Sequence, residues 1–324
     1  MGATMIPESN RSCTAPTASA DNSPAEAVEP HRLAGAKSPV RSGTFSRCGR
    51  FFLAGCRDGS IPIWRIGPGR RPRLLVGHAG AIESLAVMGR GDLVASASRD
   101  GTVRLWNPRN GRCHAVLQGH PHPVLAVASD ARGTVLASAD QEGTIKLWDL
   151  APPRPREAWK DAAEPVLGLC FSPCGGRLLS GHADGTVRVW SLASGGVEAL
   201  HEAHPAGMRA WAASPGRRWI ATGGEEGWVR LWDTTEGRCV RTFQVGKHPI
   251  VALAVEDEGG SPLAFDGTGR MVQAGSTTLL HLRAGSRIPP AQTGSRVSLV
   301  ASGTARLVGA AGPDRLVRIW QHDR

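Results

Sequence analysis

Several histidines, serines and acids in this sequence are spaced so that they could form Ser–His–Asp groups. The clearest set is His78, Ser96 and Asp100. Such a set performs nucleophilic catalysis when the histidine removes the serine proton and the acid orients the histidine. Similar sets, however, recur around His120 and His204, which lie 42 and 126 residues beyond His78. Because an active site would occur once, we interpret the sets as structural and expect no enzymatic activity.

Other motifs for metal, cofactor or phosphate chemistry do not support a catalytic function. His201 and His204 have two residues between them, whereas the zinc motif HExxH needs three. Cys170 and Cys174 flank a short Ser-Pro turn, which is not the spacing of a zinc knuckle. The sequence contains no Gly-rich phosphate loop. We therefore predict no catalytic residues, no bound metal and no cofactor.

The strongest regularity in the chain is the spacing of its tryptophans. Five of them lie 42 residues apart, and Trp320 follows the last of these by 88 residues, about two further periods. The five are Trp64, Trp106, Trp148, Trp190 and Trp232. A fixed period of this size indicates one supersecondary unit that is repeated along the chain.

Each repeated unit is predicted to contain short antiparallel strands. In the second unit, residues 82–87, 93–98 and 102–106 are apolar or β-branched runs, and Arg99-Asp100-Gly101 separates the last two. A weaker fourth run follows at 113–117. Such runs with tight Gly/Asp turns are typical of hairpins. A single sheet of this size cannot bury both of its apolar faces, so neighbouring units must stack.

These units resemble the WD-repeat (WD40) family of β-propellers. The similarity rests on GlyHis at 77–78 and 119–120, on AspGlyThrValArgValTrp at 184–190, and on the unbroken period. It covers residues 31–324. The resemblance implies an all-β ring of four-stranded antiparallel blades around a central channel.

The blade count follows from the length of the repeat region. The 294 residues after position 30 equal seven periods of 42, so we predict seven blades, with six as the alternative because the sixth unit is degenerate. The chain ends four residues after Trp320, so the last blade lacks an outer strand. We expect an N-terminal strand near residues 27–33 to close the ring and protect that sheet edge. Residues 1–30 are predicted to be a disordered tail and residues 31–324 to be the propeller.

The resemblance also assigns the recurring polar sets a structural role. In the family, a histidine, a Ser/Thr, an acid and the strand-three tryptophan form a hydrogen-bonded tetrad within a blade. Carried over position by position, the tetrads are His78, Ser96, Asp100 and Trp106 in blade 2; His120, Ser138, Glu142 and Trp148 in blade 3; Ser180, Asp184 and Trp190, with Ala162 in the histidine position, in blade 4; and His204, Thr222, Glu226 and Trp232 in blade 5.

The resemblance further implies a protein-binding face, formed by the loops that enter the first and third strands. The predicted residues on this face are Arg41, Arg57, Glu83, Arg99, Leu125, Gln141, Leu167, Arg209, Glu225 and Phe265. Three arginines in blades 1 and 2 lie beside apolar residues in later blades. This pattern predicts docking of an acidic peptide that carries hydrophobic anchors. We expect a non-catalytic scaffold, a monomeric ring within a larger complex.

Two alternative functions remain open at this point. The ring carries 37 basic and 24 acidic residues, which would suit an RNA-associated propeller. However, arginine outnumbers lysine 34 to 4, as GC-rich coding produces, and we do not expect nucleic acid to bind. The second alternative is a substrate receptor of a cullin-type ubiquitin ligase, because Trp106-Asn107-Pro108-Arg109 matches an adaptor-binding pattern.

The sequence also gives expectations about location. No apolar run is long enough to span a bilayer, and the N-terminal residues do not follow a secretory or transit pattern. The odd number of cysteines, seven, indicates reduced thiols. We therefore expect the protein in the cytoplasm, with the nucleus as the alternative, and we expect no membrane association.

Overall fold

The computed structural model describes residues 31–67, 71–89, 91, 93–160, 163–257, 262–268, 271–273, 298–302, 307–311 and 314–321. The regular elements in these ranges are β-strands, which makes the described part all-β as predicted. Within the same ranges, no helix has the length and apolar character needed to cross a membrane. The predicted N-terminal tail, residues 1–30, lies outside the described residues.

The strands fall into antiparallel sheets that follow the sequence period. The described chain begins with β1 (His31–Leu33). Blade 1 contains β2 (Val40–Phe45), β3 (Phe51–Cys56), β4 (Ile61–Arg65) and β5 (Arg73–Leu75). Blade 2 contains β6 (Ile82–Val87), β7 (Val94–Ser98), β8 (Val103–Trp106) and β9 (Cys113–Leu117).

The next three blades repeat this arrangement without interruption. Blade 3 contains β10 (Val124–Ser129), β11 (Val135–Asp140), β12 (Ile145–Leu150) and β13 (Pro153–Trp159). Blade 4 contains β14 (Val166–Phe171), β15 (Arg177–His182), β16 (Thr186–Ser191) and β17 (Gly196–Glu202). Blade 5 contains β18 (Met208–Ala213), β19 (Trp219–Gly224), β20 (Trp228–Asp233) and β21 (Arg238–Gln244).

Two further sheets follow blade 5. The sixth sheet has three described strands, β22 (Ile250–Val255), β23 (Pro262–Asp266) and β24 (Met271–Gln273). The seventh is formed by β25 (Ser298–Ala301), β26 (Leu307–Ala311) and β27 (Val317–Gln321). Its fourth strand is β1, which pairs antiparallel with β27 so that Arg32 lies opposite Arg318.

Local sequence explains why each unit folds back on itself. In blade 2 the hairpin between β7 and β8 turns at Gly101, whose φ of 81° lies in the left-handed region that favours glycine. The preceding Asp100 accepts hydrogen bonds from the amide and hydroxyl of Thr102, at 2.9 and 2.7 Å. An acid followed by glycine therefore fixes the turn, and the turn sets the register of the two flanking strands.

The core lies between the sheets and not within any one of them. Seven buried apolar clusters each join two neighbouring sheets. The cluster between blades 2 and 3, for example, contains Leu105 and Val103 of one blade and Leu136 and Trp148 of the other. The innermost strands also contact one another in succession, and β2 contacts β25. The predicted propeller of four-stranded antiparallel blades is therefore confirmed.

Small residues allow neighbouring blades to approach closely. Trp211, on the innermost strand of blade 5, lies against Gly168 and Gly181 of blade 4. A Cβ atom at Gly168 would lie 2.1 Å from the indole ring. The interface between these blades therefore requires glycine at this position.

Candidate functional site

The residues predicted to bind partners lie around one end of the central channel, which we call the upper face. It is the side where the innermost strands β2, β6, β10, β14, β18 and β22 begin. The channel is a cavity of about 620 Å³ whose wall comes from the innermost strands of all seven sheets. The opposite side, where these strands end, is the lower face.

A β-bulge positions half of the predicted face. In each of the first six sheets, the ladder between the innermost strand and the next one shifts by one residue after the first pair. The residue skipped by each shift is Arg41, Glu83, Leu125, Leu167, Arg209 or Val251. A bulge leaves the extra residue outside the pairing and re-aims its side chain. All of these except Leu125 line the channel.

Backbone hydrogen bonds position the remaining residues of the predicted upper face. The amide of Arg57 donates to the carbonyl of Pro39 at 2.9 Å, and the amide of Arg99 donates to Ala81 in the same way. Gln141 and Glu225 make the equivalent bonds in blades 3 and 5. These four residues therefore occupy one structural position, at the end of the second strand and on the upper face.

The predicted basic sector of blades 1 and 2 is built around a buried acid. Nε of Arg41 lies 2.9 Å from Oε1 of Glu83, and Nε of Arg99 lies 2.6 Å from the same atom. The Glu83 side chain is fully buried, whereas that of Arg99 is 46% exposed. Glu83 thus orders two arginines and is not itself available to a partner. Because a buried carboxylate needs such partners, the cluster is rigid.

Arg57 completes this sector with an exposed guanidinium that makes no hydrogen bond or ion pair to the described part of the chain. Across the face in blade 5, Arg209 is bonded to Glu225, so that pair is neutral overall. Leu167, partly exposed, supplies an apolar surface in blade 4. Net positive charge therefore concentrates on blades 1 and 2.

Three of the predicted face residues are wrong as partner-binding residues: Glu83, which is buried beneath the arginines, Phe265 and Leu125. Phe265 is 3% exposed and lies inside β23, opposite Ala252. The residue that occupies its expected position is Gly267, whose amide donates to the carbonyl of Pro249. Gly267 lies 42 residues after Glu225, so the sixth unit keeps the period. The prediction is displaced by two residues because Asp266 resembles the turn acid but occupies the strand-end position that Asp140 holds in blade 3. Leu125 occupies its bulge as expected but is buried, with 5% exposure.

The predicted tetrad of blade 2 is assembled as a continuous chain of hydrogen bonds. Nδ1 of His78 lies 2.7 Å from Oδ2 of Asp100, and Nε2 lies 2.7 Å from Oγ of Ser96. The indole of Trp106 donates to the same Ser96 oxygen at 2.8 Å. A carboxylate can only accept, so Nδ1 carries the imidazole proton and Nε2 accepts from the serine hydroxyl.

Blade 5 repeats the tetrad with different side chains. Nδ1 of His204 lies 2.5 Å from Glu226, and Nε2 lies 2.9 Å from Oγ1 of Thr222. The Trp232 indole donates to that hydroxyl oxygen at 3.0 Å. Arg230 adds a cation 3.1 Å from the Glu226 carboxylate. The arrangement tolerates Ser/Thr and Asp/Glu exchange because only the hydrogen-bonding atoms matter.

The electrostatics of these tetrads favour a neutral histidine beside an ionised acid. Burial lowers the pKa of His78, and the bond to Asp100 only partly opposes it. Burial would raise the pKa of Asp100, but hydrogen bonds from Thr102 and His78 outweigh it and lower the pKa to about 2. The pKa of His204 is likewise lowered by burial. The imidazole therefore remains uncharged at neutral pH.

In blade 3 the predicted acid of the tetrad is wrong. His120 and Ser138 bond at 2.7 Å, and Trp148 donates to Ser138 at 2.8 Å, as expected. The carboxylate, however, is Asp140, at 3.0 Å from Nδ1 of His120, and not Glu142. Ser138 and Asp140 are two residues apart on β11, so their side chains lie on the same face of the strand. That alternation was visible in the sequence and could have identified Asp140.

In blade 4, where the sequence has no histidine at the loop position of the tetrad, His182 of strand β15 bonds to the serine instead. Nε2 of His182 lies 2.9 Å from Oγ of Ser180, and the Trp190 indole donates to that oxygen at 2.8 Å. Arg188 approaches Nδ1 of His182 at 3.1 Å. Asp184 instead accepts from Thr186 and lies 3.6 Å from Arg188. The predicted position 162 lies outside the described residues.

The remaining motifs are placed away from the upper face. Residues 106–109 form a turn at the lower end of β8, where Oδ1 of Asn107 accepts from the amide of Arg109 at 2.9 Å. Among the described residues, no group of three or more His, Cys, Asp or Glu side chains is placed to share a metal ion. Neither feature adds a residue to the upper face.

Comparison with known families agrees with this architecture. The family model described as "WD domain, G-beta repeat" matches residues 28–65, 69–107, 111–149, 158–191 and 197–233. These segments cover more than half of the chain, and each contains the three inner strands of one of blades 1 to 5. No curated protein matches the sequence at a significant level. The repeat, the sheets and the family match together show that the chain belongs to the WD40 repeat family of β-propellers.

Proposed function

We propose that this protein is a non-catalytic WD40 scaffold that works within a larger complex. Its upper face binds an acidic segment of a protein partner, over blades 1 and 2. The observation that carries this proposal is the cluster of Arg41, Arg57 and Arg99, in which Glu83 offsets only one of three positive charges.

A rigid ring supports the scaffold function. We infer seven blades closed by β1, because β1 pairs with β27 and one apolar cluster joins the seventh sheet to blade 1. That cluster includes Phe52 and Trp64 on one side and Val317 on the other. A closed ring leaves only the short outer strands of the blades as sheet edges, and it holds the loops in fixed positions.

The positions of the Ser–His–Asp sets favour a structural function over catalysis. Ser96 is fully buried and accepts from Trp106, so no substrate can reach its hydroxyl. Equivalent hydrogen-bonded sets occur in blades 3 and 5. WD40 propellers are generally non-catalytic scaffolds for protein interactions, which agrees with this interpretation.

Charge complementarity supports an acidic partner. Arg57 and Arg99 present exposed guanidiniums on adjacent blades, and Leu167 of blade 4 offers an apolar contact in the channel wall. Guanidinium groups bind carboxylates through paired hydrogen bonds, and long-range attraction speeds the encounter. A segment with several Asp or Glu residues and one aliphatic side chain fits both features.

The proposal is tested by charge reversal at Arg57, whose guanidinium bonds to no described residue of the chain. Tagged wild-type protein and Arg57→Glu are used to capture partners from native cells, with quantitative mass spectrometry. Arg132→Glu, an exposed arginine at the lower face, is the matched control. We expect partners retained by wild type and by Arg132→Glu to be depleted at least fivefold with Arg57→Glu, at unchanged melting temperature.

Equal capture by Arg57→Glu and wild type would contradict the proposed face. Purified candidates are then tested for direct binding by fluorescence anisotropy with synthetic peptides of their acidic segments. A peptide in which Asp and Glu are replaced by Asn and Gln should bind at least tenfold more weakly.

A further inference from the structure

The lower mouth of the channel contains an arginine in an unfavourable backbone conformation. The turns that follow the innermost strands of blades 1 to 4 place a glycine in the left-handed region, at Gly49, Gly91, Gly133 and Gly175. In blade 5 the same position is Arg217, with φ of 65°. Its amide donates to the carbonyl of Ser214 at 2.9 Å, as that of Gly175 does to Ser172.

This conformation is unfavourable for a residue with a Cβ atom. Blade 5 has a glycine in the turn, but one residue earlier, at Gly216. Non-glycine residues in this region often mark functional positions, since the surrounding structure must hold them there. The interruption of the glycine series is the signal in the sequence that identifies Arg217.

The Arg217 side chain lies in the channel wall and is only partly exposed. Burial lowers the pKa of its guanidinium, and Cys170, Arg47, Asp130 and Asp257 act on it electrostatically. These groups belong to or follow the innermost strands of four other sheets. The guanidinium therefore belongs to the channel wall and lies within electrostatic range of groups from four other sheets.

No described residue gives Arg217 a hydrogen bond or an ion pair through its guanidinium. The nearby acids are engaged elsewhere: Asp130 accepts from Thr134 and Val135, and Asp257 accepts from the amide of Gly216. Burial raises the pKa of the Cys170 thiol to about 12, so that thiol carries no charge at neutral pH. The charge of Arg217 is thus incompletely compensated.

A second cation lies at the same mouth. Arg47, in the turn after β2, also lines the channel, and its NH1 donates to the carbonyl of Gly89. The proximity of Arg47 lowers the pKa of Arg217, because like charges disfavour each other. An anion between the two guanidiniums would remove this repulsion.

A buried hydroxyl lies at the equivalent turn of the seventh sheet. Ser302 is 8% exposed and lines the channel, and its Oγ has no hydrogen-bond partner among the described residues. At the matching positions, Ser46 and Ser172 use their hydroxyls to accept from the backbone amide five residues later. The Ser302 Oγ is itself buried, so rotation of the side chain about χ1 would be needed to turn its unused donor toward the channel. Buried hydroxyls without a partner are rare.

We propose that the lower mouth of the channel binds a small phosphate-type oxyanion, held by Arg217, Arg47 and Ser302. Arginine forks match the oxygen atoms of such anions, and a tetrahedral anion accepts hydrogen bonds from groups on different sheets at once. We assign a free anion because all three residues line the channel, whose wall comes from the innermost strands. The site is separate from the upper face and does not depend on the proposed partner.

The test compares wild type with Arg217→Gly, which restores the residue type found at this turn in blades 1 to 4. Melting temperatures are measured in phosphate-free and sulfate-free buffer, with sodium phosphate or pyrophosphate added at constant ionic strength. We expect the melting temperature of wild type to rise with anion concentration until it saturates, and that of Arg217→Gly not to rise. Without anion, Arg217→Gly should melt at the same or a higher temperature, because it loses a strained and poorly compensated cation.

Arg132→Ala is the matched control, because Arg132 is an exposed arginine of the equivalent turn in blade 3 that does not line the channel. It should respond to phosphate as wild type does. Isothermal titration calorimetry should give one pyrophosphate per chain, with affinity at least tenfold lower in Arg217→Gly. No saturable response in wild type, or an equal response in Arg217→Gly, would overturn the proposal.

A third experiment distinguishes binding of a free anion from binding of a lipid headgroup. Wild type and Arg217→Gly are sedimented with phosphatidylcholine vesicles that contain phosphatidic acid. Binding to these vesicles that is lost in Arg217→Gly, without a response to free phosphate, would overturn the assignment to a free anion. Absence of such binding, with a response to phosphate, supports it.

Discussion

In blade 3, Nδ1 of His120 lies 3.0 Å from a carboxylate oxygen of Asp140, at the end of strand β11. The other oxygen of Asp140 accepts from the amides of Glu142 and Thr144. One side chain therefore completes the tetrad and also fixes the hairpin turn. In blade 2 these two tasks fall to Asp100, two positions later in the repeat.

This arrangement predicts unequal effects of two neighbouring substitutions. Asp140→Ala leaves His120 and two turn amides without their acceptor, so it should lower the free energy of unfolding by about 1–3 kcal/mol. Glu142→Ala removes a partly exposed side chain that is not part of the tetrad, so its effect should stay within about 0.5 kcal/mol. Urea unfolding of both variants measures the difference. Equal destabilisation would contradict the assignment of Asp140.

Stability is predicted to fall as the solution becomes acidic. The pKa of His78 and that of His204 are lowered from 6.5 in the folded state, mainly by burial. Below about pH 6.5 the unfolded chain therefore binds more protons than the folded one, and the free energy of unfolding decreases. The pKa of Asp100 is lowered from 3.8 to about 2, so the free energy of unfolding continues to decrease below about pH 4.

The measurement is the melting temperature between pH 7.5 and 5. The double variant His78→Gln, His204→Gln should have a lower melting temperature than wild type at pH 7.5. Its melting temperature should, however, fall less than that of wild type between pH 7.5 and 5. His114→Gln, which alters an exposed histidine of β9, is the control and should keep the wild-type slope. A wild-type protein that melts at a higher temperature at pH 5 would refute this prediction.

The interface between blades 4 and 5 should be sensitive to a single methyl group. In Gly168→Ala the new Cβ would meet the Trp211 ring at 2.1 Å, so either the indole or the strand must move. Overpacking of this kind lowers the free energy of unfolding by about 1–3 kcal/mol. Gly196→Ala, where no atom lies within 4 Å of the new Cβ, serves as the matched control. Thermal unfolding of the two variants should differ, and similar melting temperatures would argue against this tight contact.

Much of the predicted site could be inferred because its residues repeat. His78, Ser96 and Asp100 belong to one blade, and their separation along the chain is fixed by hairpins whose turns are recognisable. Arg57 and Arg99 were placed on the upper face for the same reason, since each follows its strand at the same offset. Phe265 is misplaced because Asp266 resembles the turn acid but lies at the strand end, as Asp140 does, whereas Gly267 keeps the repeated offset.

The sequence by itself determined the repeating unit, the family and the antiparallel blades, since these depend on contacts between residues close along the chain. Only the tertiary structure decided which side chains from different blades meet. Arg41 and Arg99 converge on Glu83 through bulges and strand ends of two sheets. Arg217, in the channel wall, comes within electrostatic range of groups from four other sheets. Such contacts join residues far apart in sequence, and their geometry is set by how the sheets stack around the channel.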